Sequence, residues 1–398
     1  MLAKPIVGGF ELRVLFIVFR DFKNPSSVGG DYYLWELARG LSQLGYEVTL
    51  LCSDFEGSKQ SEIIDGVSIV RLTGTWILPL RIFNKYFKRM KGNFDIIVEE
   101  VIGGQRLPFL CTVYVKEPLV AVWHQRHYRI FREEYPPPLA IPLALLELFQ
   151  ARLYRNRTIV TPSKGAKKQL EVLGFKSNAI NVVYDGVGEE FCIARPRGLP
   201  SIERENLIVW LGKLRKYKRP DHVIMALPEI LRNTKQTCTL IIAGKISEID
   251  FDYVDSLRNL AKRLGVEDHV RFRLNISESE KMELLTKARV LVQPSPVEGF
   301  SVVVIEANNC GTPVVASSGV PKDVIIENFN GLVYPFGDIE ALSKALAELL
   351  NNNQLWKRLS QNSFSWAQNF TWEKSVNTFN VIIRKLLSLE ADKSVKEA

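Results

Sequence analysis

Glu298-Gly-Phe-Ser-Val-Val-Val-Ile-Glu306 is the most informative stretch of this 398-residue chain. Gly299 and Ser301 predict the start of a helix, because glycine permits a close backbone approach and serine caps a helix. The first amide groups of a helix lack internal partners and attract anions. Glu298 would lie just outside such an anion site, and Glu306 about two turns inside the helix. Because carboxylates accept hydrogen bonds from hydroxyls, the expected ligand carries hydroxyls on both sides of a pyrophosphate, as a nucleotide sugar does.

Length and composition predict a folded protein of about two or three domains. The apolar and charged fractions, 46% and 24%, are ordinary for a globular protein. The longest apolar runs, such as residues 12–19 and 139–146, are too short to span a bilayer, and a signal peptide is not expected. The five cysteines are scattered and odd in number, which favours reduced thiols in a cytoplasmic protein and argues against a zinc site.

The net charge of +8 is unevenly distributed along the chain. Residues 1–184 hold 24 lysines and arginines against 17 aspartates and glutamates, whereas residues 185–398 are nearly neutral. The first half is therefore expected to meet an anionic partner. Nucleic acid is not expected to be that partner, since the sequence shows no recognition motif for it.

Strand-like apolar runs alternate with amphipathic helical runs, which predicts an α/β fold with parallel sheets. In the first half the predicted strands are 13–19, 47–52, 67–71, 95–98, 119–123, 158–161 and 180–183. In the second half they are 205–211, 238–243, 270–272, 290–293, 313–316 and 332–334. A helix over 31–44 should end at Gly45, and a last helix is predicted over about 375–389, followed by frayed residues.

The stretch around Glu298 resembles the E-x7-E motif of retaining glycosyltransferases with the GT-B fold, specifically glycosyltransferase family 4 (group 1). The segments that carry the resemblance are Pro294-Ser295, Glu298-Gly-Phe-Ser301, Glu306-Ala307, Cys310-Gly-Thr-Pro-Val-Val-Ala316, Asn330-Gly-Leu-Val333 and Gly337-Asp338. It implies two doubly wound Rossmann-like domains that face each other across a cleft. Residues 1–190 would bind the acceptor, residues 200–372 would bind the nucleotide sugar, and a helix at 373–390 would return to the first domain.

The segment Trp210-Leu-Gly-Lys-Leu-Arg-Lys-Tyr-Lys-Arg-Pro220 follows the first predicted strand of the second half. Its cations at the carboxyl end of a strand suit a polyanion at the crevice of an open α/β sheet. It resembles the family's G-R-L-x-x-x-K-G motif, which implies that Gly212, Lys213 and Lys218 bind the donor pyrophosphate. The family usually has arginine in place of Lys213, and lysine cannot form the bidentate fork of arginine. Lys213 is therefore expected to bind the pyrophosphate more weakly than arginine would, or Arg215 shares this role.

Two features of the first half also match the family. Gly29-Gly30 follows the first predicted strand and opens a helix, and in the family such a loop touches donor phosphate and acceptor. Two glycines by themselves often form only a turn. His124 directly follows a predicted strand and matches the family's histidine near the reacting sugar better than His127 does. A purely structural role for this histidine stays open.

The segment Thr75–Lys91 lacks acidic residues and has two kinds of side chain at helical spacing. The apolar set is Trp76, Leu80, Phe83 and Phe87, and the cationic set is Arg81, Lys85, Lys88, Arg89 and Lys91. Such a segment suits an anionic membrane surface or a lipid-linked acceptor. The alternative is an aromatic stripe in the core beside a solvated cationic face.

Two positions depart from the family's pattern. The turn before the linker reads Asp185-Gly-Val187 instead of Asn-Gly-Val, and both aspartate and asparagine suit tight turns. Ser318-Gly-Val-Pro321 stands where the family has two glycines, which is expected to alter contacts around the sugar.

These features predict a metal-independent, retaining glycosyltransferase that moves a hexose-type sugar from a nucleoside-diphosphate sugar to a glycan or lipid-linked acceptor. The resemblance assigns catalysis to His124, Glu298, Lys213 and Lys218. It assigns donor binding to Gly29, Gly30, Gly212, Lys213, Lys218, Glu298, Gly299, Phe300, Ser301 and Glu306. Glu306 would hold ribose hydroxyls and Glu298 sugar hydroxyls.

Neither a metal nor a cofactor is expected, because the nucleotide sugar is itself a substrate and the cations do the work of a metal. The protein would act in the cytoplasm, peripherally at the inner face of the membrane if it binds an anionic surface. Two other classes of function stay open. One is a nucleotide-sugar epimerase or hydrolase of the same fold, and the other is a nucleotide-sugar-binding protein without catalysis.

Overall fold

The structure is a computed structural model that describes residues 6–7, 10–102, 107–188, 204–246 and 251–397. The chain divides into two compact units. The first comprises Met1–Tyr128, Pro137–Gly186 and Thr371–Ala398, and the second comprises Arg129–Pro136 and Val187–Phe370. The two domains were expected to join near 185–200, and residues 189–200 of that junction, which include Cys192, lie outside the described residues.

The described strands are, in chain order, β1 (Ile6–Val7), β2 (Phe10–Glu11), β3 (Arg13–Ile17), β4 (Glu47–Ser53), β5 (Ser61–Ile64), β6 (Val67–Leu72), β7 (Ile96–Glu100), β8 (Leu119–Val122), β9 (Thr158–Thr161), β10 (Ile180–Val182), β11 (Leu207–Leu211), β12 (Thr239–Gly244), β13 (Val270–Leu274), β14 (Val290–Gln293), β15 (Val314–Ser317) and β16 (Gly331–Tyr334). β1 and β2 form a small antiparallel pair.

The described α-helices are α1 (Gly29–Gln43), α2 (Leu78–Lys85), α3 (Cys111–Tyr114), α4 (Tyr128–Glu134), α5 (Pro137–Leu153), α6 (Lys164–Val172), α7 (Pro220–Asn233), α8 (Phe251–Arg263), α9 (Glu278–Lys287), α10 (Val302–Asn309), α11 (Ile339–Asn351), α12 (Asn353–Ala367) and α13 (Trp372–Glu397). A 3-10 turn (Thr75–Ile77) precedes α2, and a π-helical turn (Tyr86–Met90) follows it.

The first unit is built on an eight-stranded sheet of order β10-β9-β8-β7-β3-β4-β6-β5, parallel throughout except for the β5–β6 pair. Alternate residues of β3 face opposite sides, as the two-residue period of a strand requires. Val14 and Phe16 pack in one apolar cluster with residues of α1 and α13, and Leu15 and Ile17 pack in another with residues of α2, α3 and α5. Both faces are therefore covered, which is typical of parallel sheets.

The second unit is built on a six-stranded parallel sheet of order β13-β12-β11-β14-β15-β16. Ile208 and Trp210 of β11 lie in an apolar cluster with residues of α7, α8 and α11. β11, β12 and β14 are each followed by a helical crossover to a parallel neighbour, so the carboxyl ends of these strands share one edge of the sheet.

The predicted α/β fold with parallel sheets is confirmed. Each predicted strand is present, with its ends shifted by at most two residues. β5 and the β1–β2 pair were not predicted, and the last helix runs over Trp372–Glu397 rather than ending near 389. The segment Arg129–Pro136, expected in the first domain, groups with the second unit. None of the helices in the described ranges has the length and apolar character needed to cross a membrane.

Phe379 tests how α13 supports the first unit, because its side chain is fully buried and lies near Phe16, with ring centroids 6.4 Å apart. Phe379→Ala should lower the free energy of unfolding by about 3–5 kcal/mol, since truncation leaves a cavity. Val381→Ala on the exposed side of the same helix is the control and should change it by less than about 0.5 kcal/mol. Chemical denaturation measures both, and equally small effects would exclude α13 from the core.

Candidate active site

The predicted donor-binding residues of the second unit follow the carboxyl ends of two neighbouring strands. β11 ends at Leu211, directly before Gly212 and Lys213, and β14 ends at Gln293, shortly before Glu298. β11 and β14 are parallel neighbours, so these ends lie at the same edge of the sheet. In open α/β sheets, ligands bind at this edge.

Glu298 is only 5% exposed and is held by two neighbouring side chains. Its carboxylate accepts hydrogen bonds from Lys218 Nζ at 2.7 and 2.9 Å and from Gln293 Nε2 at 2.7 Å. Burial opposes the charge of Lys218, but Glu298 raises the pKa of Lys218 above its ordinary value. Such partners are needed because an unpaired buried charge is costly. The structure thus joins two predicted site residues in one ion pair.

The loop that carries Glu298 is fixed by a close backbone approach at Gly319. The amide of Glu298 donates to the Gly319 carbonyl at 3.0 Å, and the amide of Gly319 donates to Ser317 Oγ at 3.1 Å. Ser317 Oγ in turn donates to the Ser295 carbonyl. A Cβ at Gly319 would lie 2.4 Å from the carbonyl group of Pro296. Only glycine fits here without displacing the loop.

Glu306 lies on α10, is 7% exposed, and pairs with a lysine that was not predicted from the sequence. Lys281 Nζ, on α9, lies 2.8 Å from Glu306 Oε1 and also contacts Glu278. Burial opposes the charge of Lys281, but Glu306 and Glu278 raise its pKa. Lys281 stands 25 residues before Glu306, so no local motif could have indicated the pair.

The helix α10 begins at Val302, where the sequence predicted a helix start. The predicted capping role of Ser301 is wrong, because its side chain makes no cap hydrogen bond and its Oγ is buried without a partner. Its φ of 77° is in the left-handed region, a strained conformation that is concentrated at ligand sites. Glu306 is the fifth residue of α10 and so lies little more than one turn inside it, not two.

Gly299 and Phe300 complete the approach to α10. Phe300 is buried, and its ring packs edge-on against Phe370 with centroids 5.5 Å apart. This aromatic contact anchors the backbone that leads into the helix. Any role of Phe300 in donor binding would therefore come from the backbone rather than from an exposed ring.

Two arginines of the cationic segment pair with acidic residues that were not predicted to lie nearby. Arg215 Nη2 lies 3.2 Å from Glu134 Oε2, and Arg219 lies 2.9 Å from Glu133 and 2.8 Å from Asp221. Glu133 and Glu134 come from α4, in the short segment that groups with the second unit. These pairs hold the segment after β11 in a defined conformation.

In the first unit the structure brings His124 and Gly30 together. A Cβ at Gly30 would lie 3.0 Å from His124 Nε2, so a larger residue would press on the ring. Burial, with a smaller contribution from His127, lowers the pKa of His124 to about 4, and its Nε2 is buried without a partner. The imidazole is therefore neutral near pH 7, and Nε2 can donate or accept one hydrogen bond depending on the tautomer.

The loop before Gly29 is anchored by a buried ion pair. Arg71 Nε lies 2.6 Å from Asp21 Oδ2, and both side chains are fully buried. Asp21 Oδ1 also accepts from the amide of Lys23, and the Asp21 carbonyl accepts from Ser27 Oγ. This pair was not predicted. Arg71 is the only charged residue of β6, and an arginine in a buried strand is the signal that could have found it.

The structure places the predicted site residues in two groups, one in each unit, and their roles stay predictions. In the second unit Lys218 contacts Glu298 directly, whereas Glu306 contacts Lys281. In the first unit His124 lies against Gly30. Across the described ranges, no group of three or more His, Cys, Asp or Glu side chains is placed to hold a metal ion.

Solved structures share this architecture. Sucrose-phosphate synthase of Thermosynechococcus elongatus has a TM-score of 0.78 and 18% identity, over 95% of this chain and 100% of that chain. The Anabaena protein HepE in complex with UDP-glucose has a TM-score of 0.72 and 16% identity, over 94% of this chain and 100% of that chain. At these identities the likeness shows the fold alone, which is the GT-B fold of glycosyltransferases.

Sequence comparison gives the family. Residues 28–191 match Glycosyltransferase Family 4, and residues 195–366 match Glycosyl transferases group 1. A D-inositol 3-phosphate glycosyltransferase of Streptomyces bingchenggensis (strain BCW-1) is 27% identical over an alignment of 302 residues, which covers 71% of this chain and 65% of that protein. The alignment thus spans just under two thirds of that relative. The chain belongs to the group 1, family 4 glycosyltransferases.

Gly319→Ala tests the backbone approach that positions Glu298. The added Cβ would overlap the Pro296 carbonyl group, so the free energy of unfolding should fall by about 1–3 kcal/mol. Lys322→Ala, at an exposed residue of the same loop, is the control and should change it by less than about 0.5 kcal/mol. Denaturation curves measure both. An unchanged Gly319→Ala stability would show that the loop accommodates a side chain, and glycine would then not fix Glu298.

Proposed function

We propose that this protein is a metal-independent, retaining glycosyltransferase that moves a hexose-type sugar from a nucleoside-diphosphate sugar to a glycan or lipid-linked acceptor. The observation that carries the proposal is a pair of buried carboxylates beside the start of α10, each held by a lysine: Glu298 by Lys218 and Glu306 by Lys281. Buried titratable groups of this kind are concentrated at functional sites. Family membership supports the reaction class and retention.

The start of α10 suits the diphosphate of the donor. Its first amides lack partners within the helix and carry partial positive charge. Gly299, Phe300 and Ser301 lead the backbone into it. On either side, Glu306 would accept hydrogen bonds from the ribose hydroxyls and Glu298 from the sugar hydroxyls. A carboxylate offers about four acceptor positions, so each can retain its lysine while it binds a hydroxyl.

Lys213 and Lys218 would compensate the charge that develops on the leaving nucleoside diphosphate. Metal ions fill this role in many other enzymes, and preorganised cations can fill it here. Lys218 donates to Glu298 in the structure. An ammonium group has three donors, so Lys218 can also face a phosphate oxygen. It would then couple the position of the sugar-binding carboxylate to that of the diphosphate.

Gly29, Gly30 and His124 are proposed to contact the donor phosphate and the transferred sugar. Because the pKa of His124 is lowered to about 4, its imidazole suits a hydrogen bond to a sugar hydroxyl rather than donation of a proton from imidazolium at pH 7. The solved complex of HepE with UDP-glucose supports a nucleoside-diphosphate hexose as the donor class. We also infer a cytoplasmic location, which the free thiols of Cys52, Cys111, Cys238 and Cys310 support.

A thermal-shift screen of UDP-, GDP- and ADP-sugars tests the donor class, because a ligand that binds only the folded protein raises its melting temperature. Incubation with the stabilising donor alone, and then with added glycan acceptors, tests the reaction. Transfer that requires an acceptor supports the proposal. Epimerised or hydrolysed donor without an acceptor identifies the first alternative class, and binding without turnover identifies the second.

Glu306→Ala should weaken binding of the nucleoside diphosphate by about 10- to 150-fold, because a hydrogen bond to a charged group is worth about 1.5–3 kcal/mol. Isothermal titration calorimetry measures the affinity. Glu340→Ala on α11, where the carboxylate is exposed and also paired with a lysine, is the matched control and should bind as wild type does. Wild-type affinity in a folded Glu306→Ala protein would remove Glu306 from the donor site.

Lys218→Ala should slow transfer on the order of 100-fold or more, because it removes a preorganised charge at a developing anion. EDTA should leave the wild-type rate unchanged, since the proposed site has no role for a metal. Initial rates with and without chelator measure both effects. A rate lost in EDTA and restored by magnesium or manganese would overturn the metal-free mechanism. An unchanged rate in Lys218→Ala would assign the binding of the diphosphate to another cation.

A further inference from the structure

The segment from Thr75 to Met90 presents its aromatic stripe to solvent. Trp76 is 77% exposed and Leu80 is 64% exposed, and two phenylalanines of the stripe are also exposed, Phe83 and Phe87. The core is filled instead by the opposite face, with Leu78, Ile82, Tyr86 and Met90. The alternative in which the aromatic stripe forms core is therefore wrong. An exposed cluster of large apolar side chains indicates an interaction site.

The helix α5 adds a second exposed apolar surface. Its exposed apolar side chains are Leu139, Ile141, Leu145, Leu148 and Phe149. The helix contains two charged residues. Glu147 is buried and accepts hydrogen bonds from the amide and Nδ1 of His127 at 2.7 and 3.0 Å, and Arg152 lies in the last turn. The middle of its outer face thus has no charge to favour contact with water.

Both surfaces lie on the same side of the first unit. α2, α3 and α5 all contribute residues to one apolar cluster beneath them, on one face of the eight-stranded sheet. α3 connects the other two helices: the ring of Tyr114 packs edge-on against Phe83 with centroids 5.0 Å apart, and Thr112 Oγ donates to the Leu153 carbonyl at 3.4 Å. We call the exposed surface of Thr75–Met90 and α5 the α2–α5 face.

The charges of the α2–α5 face are cationic. Thr75–Met90 contains four cations and no acid, and Lys91 follows directly. Lys85 and Arg89 stand one turn apart, an arrangement that destabilises a helix, and burial together with Arg89 lowers the pKa of Lys85. Glu117 contacts this segment, where it accepts hydrogen bonds from the Tyr86 hydroxyl and the Gly92 amide. An anionic partner would relieve the remaining repulsion.

We propose that the α2–α5 face docks on an anionic lipid membrane. Exposed Trp, Phe and Leu side chains can enter the headgroup boundary while lysines and arginines beside them contact acidic lipid. A second copy of the chain fits this face less well, because two identical cationic surfaces repel. The proposal rests on the proposed function only where it places a lipid-linked acceptor at the membrane. The docking itself does not depend on catalysis.

Vesicle flotation with the full-length protein tests the proposal, using phosphatidylcholine vesicles and vesicles of equal parts phosphatidylcholine and phosphatidylglycerol. These vesicles contain neither donor nor acceptor, so the result is independent of the proposed transferase activity. The protein should float with the anionic vesicles and be released as salt rises, because ions screen surface charges. It should float much less with phosphatidylcholine alone.

Two variants and their matched controls separate charge from apolar contact. Replacing Arg81, Lys85, Lys88 and Arg89 by glutamine should weaken binding on the order of 100-fold or more, since each cation near the surface contributes a factor of about five. The control removes the same number of charges elsewhere, at the exposed side chains of Lys262, Arg263, Lys357 and Arg358 in the second unit, and should still bind. Ile141→Ser with Leu145→Ser should also weaken binding, whereas Val381→Ser should not, because this exposed valine lies on α13, which packs on the opposite face of the sheet.

Three outcomes would overturn the proposal. The wild type could stay in the soluble fraction with both kinds of vesicle. The charge variant and its control could lose binding equally, which would indicate a general effect of net charge. Analytical ultracentrifugation could instead show a dimer that Ile141→Ser with Leu145→Ser dissociates, which would assign the face to a second copy of the chain. Circular dichroism confirms that each variant is folded.

Discussion

Parallel strand pairing is the constraint on which both units depend. In each parallel sheet, strands that follow helical crossovers end at the same edge, so the loops after them meet there. This is how Lys218 and Glu298, 80 positions apart in the sequence, come within 2.7 Å of each other. The same constraint acts in the first unit. Gly30 lies at the start of α1, which follows β3, and His124 lies just after β8, and the two residues are in contact range. Without a common edge the two residues of each pair would not meet.

The cost of burying charge explains the residues that surround the motif glutamates. An isolated carboxylate in the interior would be destabilising, so Glu298 and Glu306 each require a cation. Gln293 then fixes the orientation of Glu298 by a further hydrogen bond at 2.7 Å. A carboxylate held on two sides loses little freedom when a hydroxyl binds it, because its position is already set. In the proposed donor site, the ion pairs would therefore prepare both carboxylates for recognition as well as stabilise the fold.

The sequence predicted well what depends on local pattern. Buried strands have continuous apolar runs, and the start of α10 follows from the order of residues around Glu298. Three features depend instead on packing between distant segments. Lys281 is brought to Glu306 by α9, and Ser301 has a left-handed backbone conformation and makes no cap hydrogen bond. Arg71 of β6 reaches Asp21 in the loop after β3. An arginine in a buried strand indicates that Arg71 needs a partner, but in none of the three cases does the local sequence identify the contact.

Which face of a helix is buried also depends on packing between distant segments. Helical periodicity shows that Trp76 and Leu80 share one face and that Leu78 and Ile82 share another, but both faces are apolar. What distinguishes them is which one meets the sheet, and that depends on how α2 is placed by its neighbours. The structure buries the aliphatic face and leaves the aromatic one in water. Composition alone would have favoured the opposite choice, since aromatic side chains bury more surface.

Charge is used differently in the two units. In the second, Arg215, Lys218 and Arg219 each lie within 3.2 Å of a carboxylate, so a bound anion must share or replace an existing partner. The proposed donor site would therefore be selective, because only a ligand of matching geometry compensates for the loss of the existing partner. In the first unit, the cations of Thr75–Met90 have no acidic residue between them in the sequence. Their electrostatic attraction extends over a Debye length, about 8 Å at physiological salt. Attraction of this type is general and sensitive to salt, which suits contact with a surface rather than recognition of one molecule.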